Sequence, residues 1–130
     1  MCINVQQEIL SNDPRASEYD DTSSFLSKLR EGGVWSYQAY WRFELALFAL
    51  AEHETLLTAP RLFRSVFHTY TQVLMMISAH LDELDGYMIC NLNREQLHEC
   101  KERFMLITAD LIEGRLPKNH CTGIANPYLS

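Results

Sequence analysis

Apolar side chains recur every three or four residues along most of the chain, which is the spacing of one face of an α-helix. The pattern predicts a short helix over 24–30 and longer helices over 37–52, 60–80 and 93–113. Helices joined by short loops commonly pack as bundles. We therefore predict an all-α, single-domain helical bundle of about four helices.

Residues at the predicted helix ends support these boundaries. Ser36 is a favourable N-cap for the second helix, and Thr58 can cap the third. Asn93 followed by Gln96 has the spacing of a capping box, in which two side chains satisfy free backbone N–H groups. Gly114 is expected to end the fourth helix.

The two ends of the chain lack this periodicity. Residues 1–22 are polar and contain the turn signal Asn12-Asp13-Pro14, so we expect an irregular segment that packs loosely on the domain. Residues 115–130 are predicted to form a C-terminal loop. The bundle itself is expected to span residues 23–114.

Glu44 lies in the second predicted helix, which is otherwise apolar around most of its circumference. Such a helix is expected at the centre of the bundle, where a carboxylate needs a charged partner. Arg42, Arg61 and Arg64 are the candidate partners. The alternative is that Glu44 lies at the exposed edge of the helix.

The fourth predicted helix has two unlike faces. Its buried face is expected to carry Leu97, Cys100, Phe104, Ile107 and Leu111. Its exposed face is expected to carry Glu95, Glu99, Glu102, Arg103, Asp110 and Glu113. The other three cysteines, Cys2, Cys90 and Cys121, form no C-x-x-C pair, so we expect reduced thiols and predict neither a metal nor a cofactor.

Composition and charge limit the classes of function. The 130 residues suffice for one domain, and 47% of them are hydrophobic. A formal net charge of −6 argues against nucleic acid as a partner, since phosphates require clustered Lys and Arg. No apolar run reaches the roughly 20 residues of a membrane span, and residues 1–10 lack the features of a secretion signal. We therefore expect a cytoplasmic protein without a membrane partner.

His80, Asp82 and Asp85 are the main cluster of candidate catalytic residues. A small metal-dependent hydrolase could use all three, because His and Asp are common metal ligands. The simpler interpretation is structural: a histidine suits a helix C-terminus, and aspartates suit a turn. The sequence has no nucleophile motif and no Gly-rich phosphate loop, so we predict no catalytic residues.

Several stretches are similar to the small immunity proteins of bacterial polymorphic-toxin and contact-dependent growth inhibition systems. They are SSFLSKLREG at 23–32, WSYQAYW at 35–41, ISAHLDELDGY at 77–87, Asn91-Leu92, and Glu113-Gly114 after a helix. The most specific of them is the turn from His80 to Gly86, where the family pattern is His-Phe-Asp-Pro-x-Asp-Gly. Leu81 and Glu83 differ from that pattern.

The resemblance implies an antidote that binds a cognate toxin domain, often a nuclease, and blocks its active site or its access to substrate. Carboxylates would then take the place of nucleic-acid phosphates on the toxin's basic surface. We predict that the toxin-binding residues are Asp20, Asp21, Asp82, Glu83, Asp85, Tyr87, Glu95 and Glu99. The alternatives are the metal-dependent hydrolase described above and a helical regulatory adaptor.

Overall fold

The computed structural model describes residues 3–129, and that part of the chain is helical without a strand. The five helices are α1 (Val5–Ser11), α2 (Phe25–Gly32), α3 (Tyr37–His53), α4 (Pro60–Leu81) and α5 (Arg94–Ile112). The all-α prediction is confirmed, but the count is five rather than about four. The additional helix is α1.

Helix α1 makes the N-terminal segment part of the packed domain. Ile9 and Leu10 are 0% and 1% exposed. Asn12, also buried, accepts a hydrogen bond from the backbone N–H of Leu26 at 2.9 Å and thereby helps to cap α2. The Thr69 hydroxyl of α4 donates to the Asn12 carbonyl at 2.8 Å. The prediction of an irregular, loosely packed segment is therefore wrong for this region. The two buried residues of α1, Ile9 and Leu10, are adjacent in the sequence and show no helical spacing.

Three of the predicted capping residues behave as expected. The Ser36 hydroxyl accepts from the N–H of Ala39 at the start of α3, and Asn93 and Gln96 form the complete capping box of α5. Thr58 does not cap α4; it closes a turn by accepting from the N–H of Thr55 at 2.7 Å. The α4 N-cap is Ala59, which makes no side-chain hydrogen bond.

The core is built around aromatic rings of α2, α3 and α5. The indole of Trp35, 1% exposed, meets the ring of Phe25 edge-on at 4.8 Å between centroids. The ring of Tyr40 lies 5.1 Å from Phe25 and 5.8 Å from Phe104, again edge-on. The five apolar residues expected on the inner face of α5 are all buried, as predicted.

Glu44 is buried at 0% exposure and paired, but its partner is Arg103 of α5. Its two carboxylate oxygens accept from Arg103 at 2.7 and 2.9 Å. The ion-pair interpretation is confirmed, whereas the partners proposed from the sequence are wrong. The assignment of Arg103 to the exposed face of α5 is also wrong, since it is 0% exposed.

Residues 115–129 form a loop, and hydrogen bonds hold this loop against the buried ion pair; residue 130 of the predicted loop lies outside the described residues. Arg103 donates to the carbonyls of Asn119 and Ile124, each at 2.6 Å, and to Asn119 Oδ1 at 2.7 Å. The buried amide of Asn126 donates to the carbonyl of Trp41 at 3.0 Å. Among residues 3–129, no helix combines the length and apolar character needed to cross a membrane.

Candidate partner-binding surface

Two connections of the bundle meet at one end of the molecule, between α2 and α3 and between α4 and α5. The N–H of Cys90 donates to the carbonyl of Gly33 at 2.7 Å. The side chain of Asn91 exchanges two hydrogen bonds with the backbone of Trp35, at 2.9 and 2.8 Å. The α4–α5 connection is therefore fixed to the body of the domain.

Residues 82–87, which we name the acidic turn, are folded by their own aspartates. Asp82 Oδ1 accepts from the N–H of Leu84 at 3.0 Å, and Asp85 Oδ1 accepts from the N–H of Tyr87 at 2.9 Å. Such bonds mimic a backbone turn. They engage one oxygen of each carboxylate, and both residues are exposed together with Glu83.

Each end of the acidic turn is anchored. The Tyr87 hydroxyl donates to the carbonyl of Leu29 in α2 at 2.6 Å, and burial raises the pKa of Tyr87 to about 12. This hydroxyl consequently remains a donor at neutral pH. On the other side, the N–H of Ile89 donates to His80 Nδ1 at 3.0 Å. Tyr87, predicted as a contact residue, is half-buried and points its polar atom inward.

Large apolar side chains are exposed in and around the acidic turn. Leu84 is 97% exposed, Met88 is 63% exposed and Leu81 is 58% exposed. Leu84 is not among the contact residues predicted from the sequence. The sequence does contain a signal for the exposure of Leu84. This leucine lies between acidic residues in a turn, so it cannot belong to the apolar face of a helix.

Local hydrogen bonds engage one ring nitrogen of His80 and one carboxylate oxygen each of Asp82 and Asp85. Throughout residues 3–129, no three His, Cys, Asp or Glu side chains converge in a way that could hold a metal ion. The geometry therefore matches the capping and turn interpretation of this cluster.

The remaining predicted contact residues are spread over the surface. Glu95 is exposed on the first turn of α5. Glu99 is half-buried and faces the C-terminal loop, where its Oε2 lies 3.2 Å from the position that a Cβ on Gly123 would take. Asp20 and Asp21 precede α2, a helix about 12 Å long at 1.5 Å per residue. They therefore lie at its far end, away from the acidic turn.

Asp20 belongs to a separate polar pocket of about 470 Å³, which Glu8 and Arg42 also line. Hydrogen bonds from the backbone N–H groups of Ser23 and Thr22 hold the pKa of Asp20 below its ordinary value. Burial raises the pKa of Glu8, against the lowering effect of Arg42. The predicted contact residues thus do not share one surface: four lie in the acidic turn, two precede α2, and Glu95 and Glu99 lie on α5.

Comparisons with family models, curated proteins and solved structures give no match to this chain. The resemblance to immunity proteins therefore stays a prediction from the motifs.

Proposed function

We propose that this chain is a bacterial immunity protein that acts in the cytoplasm. It binds a cognate toxin domain, a nuclease in our proposal, and blocks its active site or its access to substrate. The observation that carries the proposal is the acidic turn, which is anchored at both ends and combines three carboxylates with a leucine that is 97% exposed.

An exposed leucine gains free energy by entering a partner's pocket. Full burial of such a side chain is worth about 1.5–3 kcal/mol. Burial of Leu84 in a partner would provide almost all of this free energy, because no residue of its own domain covers the side chain. The anchors at Tyr87 and His80 hold the turn in one conformation, which reduces the entropy lost on binding.

The carboxylates of the acidic turn select a basic partner. A nuclease binds nucleic-acid phosphates with a positively charged surface, and the net charge of −6 would speed encounter with such a surface. On that surface, the places of nucleic-acid phosphates would be taken by the carboxylates of Asp82, Glu83 and Asp85. The function follows from binding alone and requires no catalytic residue in the antidote.

The test is calorimetric titration with the toxin domain encoded beside this chain, followed by assay of toxin activity at equivalence. We expect one-to-one binding with nanomolar or tighter affinity and loss of toxin activity. The variant that combines Glu83→Lys with Leu84→Ser leaves the turn-forming aspartates intact. It is expected to weaken binding at least about tenfold, as loss of an interface anchor does.

The matched control is Glu54→Lys combined with Leu57→Ser, in the α3–α4 loop. Both residues are exposed, Leu57 by 90%, and the change in charge and apolar area is the same. The 22 residues of α4 separate this loop from the acidic turn by about 33 Å. If the two variants weaken toxin binding equally, the acidic turn is not part of the interface. Absence of binding by the unaltered protein would contradict the immunity function for that toxin.

A further inference from the structure

A pocket of about 210 Å³ lies between α4 and α5, next to the acidic turn. Its residues are Ile77, Leu81, Arg94, Leu97, His98 and Lys101. We name it the α4–α5 pocket. Its volume equals that of about seven water molecules at roughly 30 Å³ each, so it can admit an aliphatic side chain.

The rim of the α4–α5 pocket is basic, in contrast to the whole protein. The chain has 17 Asp and Glu against 11 Lys and Arg, yet none of the six residues that line this pocket is acidic. Arg94, His98 and Lys101 follow one another at spacings of four and three residues, along one face of α5. His98 lies 3.6 Å from Glu102 outside the lining. A ligand for this pocket would therefore combine an apolar group with negative charge.

We infer that the α4–α5 pocket binds the acidic turn of a second copy of this chain. Leu84 would enter the apolar floor formed by Ile77, Leu81 and Leu97. Glu83 would face Arg94 and Lys101 on the rim. The turn does not fill the pocket of its own chain, because Leu84 remains 97% exposed.

The position of the two surfaces suits a symmetric dimer. Leu81 lines the pocket and is the last residue of α4, so the acidic turn begins at the next residue. A two-fold axis between two such patches places each turn on the other copy's pocket. Both contacts then form together, as in an isologous interface.

This dimer goes beyond the proposed function and is tested without any toxin. It covers the acidic turn, so a partner that binds the turn must displace the second copy. The variant Arg94→Glu with Lys101→Glu alters the pocket but not the turn. It should therefore abolish self-association while it preserves toxin binding, which separates the two proposals.

Sedimentation equilibrium of the purified protein over a range of concentrations is the experiment. We expect a reversible monomer–dimer equilibrium. The variant Glu83→Lys with Leu84→Ser should be monomeric, and the control Glu54→Lys with Leu57→Ser should dimerise like the unaltered protein. Because these residues are exposed, their replacement leaves the core intact.

Charge complementation gives the decisive readout. Glu83→Lys alone and Arg94→Glu with Lys101→Glu are each expected to weaken the dimer. Mixing the two variants should restore association as a heterodimer, because each turn then meets a pocket of opposite charge. A protein that stays monomeric at about 1 mM, or a dimer that the turn and pocket variants leave unchanged, overturns the inference.

Discussion

Arg103 illustrates how one side chain can connect distant parts of a fold. A guanidinium has five N–H donors, and all five are used here: two for Glu44, and three for the C-terminal loop. The guanidinium also lies 5.4 Å from the ring centroid of Trp41. A charge that is 0% exposed is tolerated because its partners surround it.

Replacing either member of the buried pair is expected to destabilise the fold. Arg103→Met leaves the Glu44 carboxylate buried without its counter-ion and should cost about 3–5 kcal/mol in the free energy of unfolding, measured by urea denaturation. The matched control is Arg115→Met, which breaks an exposed ion pair with Asp110 and should leave the free energy of unfolding nearly unchanged. Equal losses for the two variants would contradict a stabilising role of the buried network.

Two buried groups, the thiol of Cys100 and the hydroxyl of Tyr40, predict that the folded state loses stability at alkaline pH. Burial raises the pKa of the Cys100 thiol to about 11, against the lowering effect of Tyr37, and burial raises the pKa of Tyr40 well above its ordinary value. The unfolded chain releases these protons at ordinary values, whereas the folded chain keeps them. Above about pH 9 the folded state therefore binds more protons, and stability falls as pH rises.

The measurement is urea unfolding at pH 8 and pH 10. Cys100 alone should contribute up to roughly 1.4 kcal/mol per pH unit within this alkaline range. The variant Cys100→Ala should reduce the slope. An unfolding midpoint that does not change between the two pH values would show that these groups titrate alike in both states.

At the scale of elements, Gly33 fixes the geometry between α2 and the α4–α5 connection. It ends α2 with φ of +62°, a conformation that glycine adopts without steric cost. A Cβ on Gly33 would also collide with the carbonyl oxygen of Met88. The close approach allows the hydrogen bond from Cys90 and positions the acidic turn beside α2.

Gly33→Ala is therefore expected to destabilise the protein by more than about 1 kcal/mol. The neighbouring Gly32→Ala serves as control, since its Cβ would meet only the Val34 side chain, at 4.0 Å. Gly32 is the last residue of α2, so alanine there should be neutral or slightly stabilising. Urea denaturation distinguishes the two variants, and equal stability of both would refute the packing constraint at Gly33.

Local signals predict most of the helices, whereas the wrong partners for Glu44 concern residues far apart along the chain. The capping box of Asn93 and Gln96 and the N-cap at Ser36 depend on residues within a few positions of each other, so the sequence predicts them. The Glu44–Arg103 pair joins residues 59 positions apart, and no local pattern reveals it. Likewise, the exposure of Leu84 depends on where the bundle ends in space.

At the scale of the whole molecule, charge and apolar area are unevenly distributed. The acidic turn and the basic α4–α5 pocket lie together at one end of α4, although the chain as a whole is acidic. The α3–α4 loop at the opposite end exposes Leu57 by 90%. The acidic and the basic contact surfaces therefore lie at the same end of the molecule.

The hydrogen bonds between Arg103 and the C-terminal loop have a consequence for folding during synthesis on the ribosome. Residues 119–126 are made after all five helices, yet three of the five Arg103 donors depend on them. A nascent chain that has just completed α5 would have to bury a guanidinium with most of its acceptors missing. We therefore expect the final docking of α5 against α3 to follow the emergence of residues 119–126 from the ribosome.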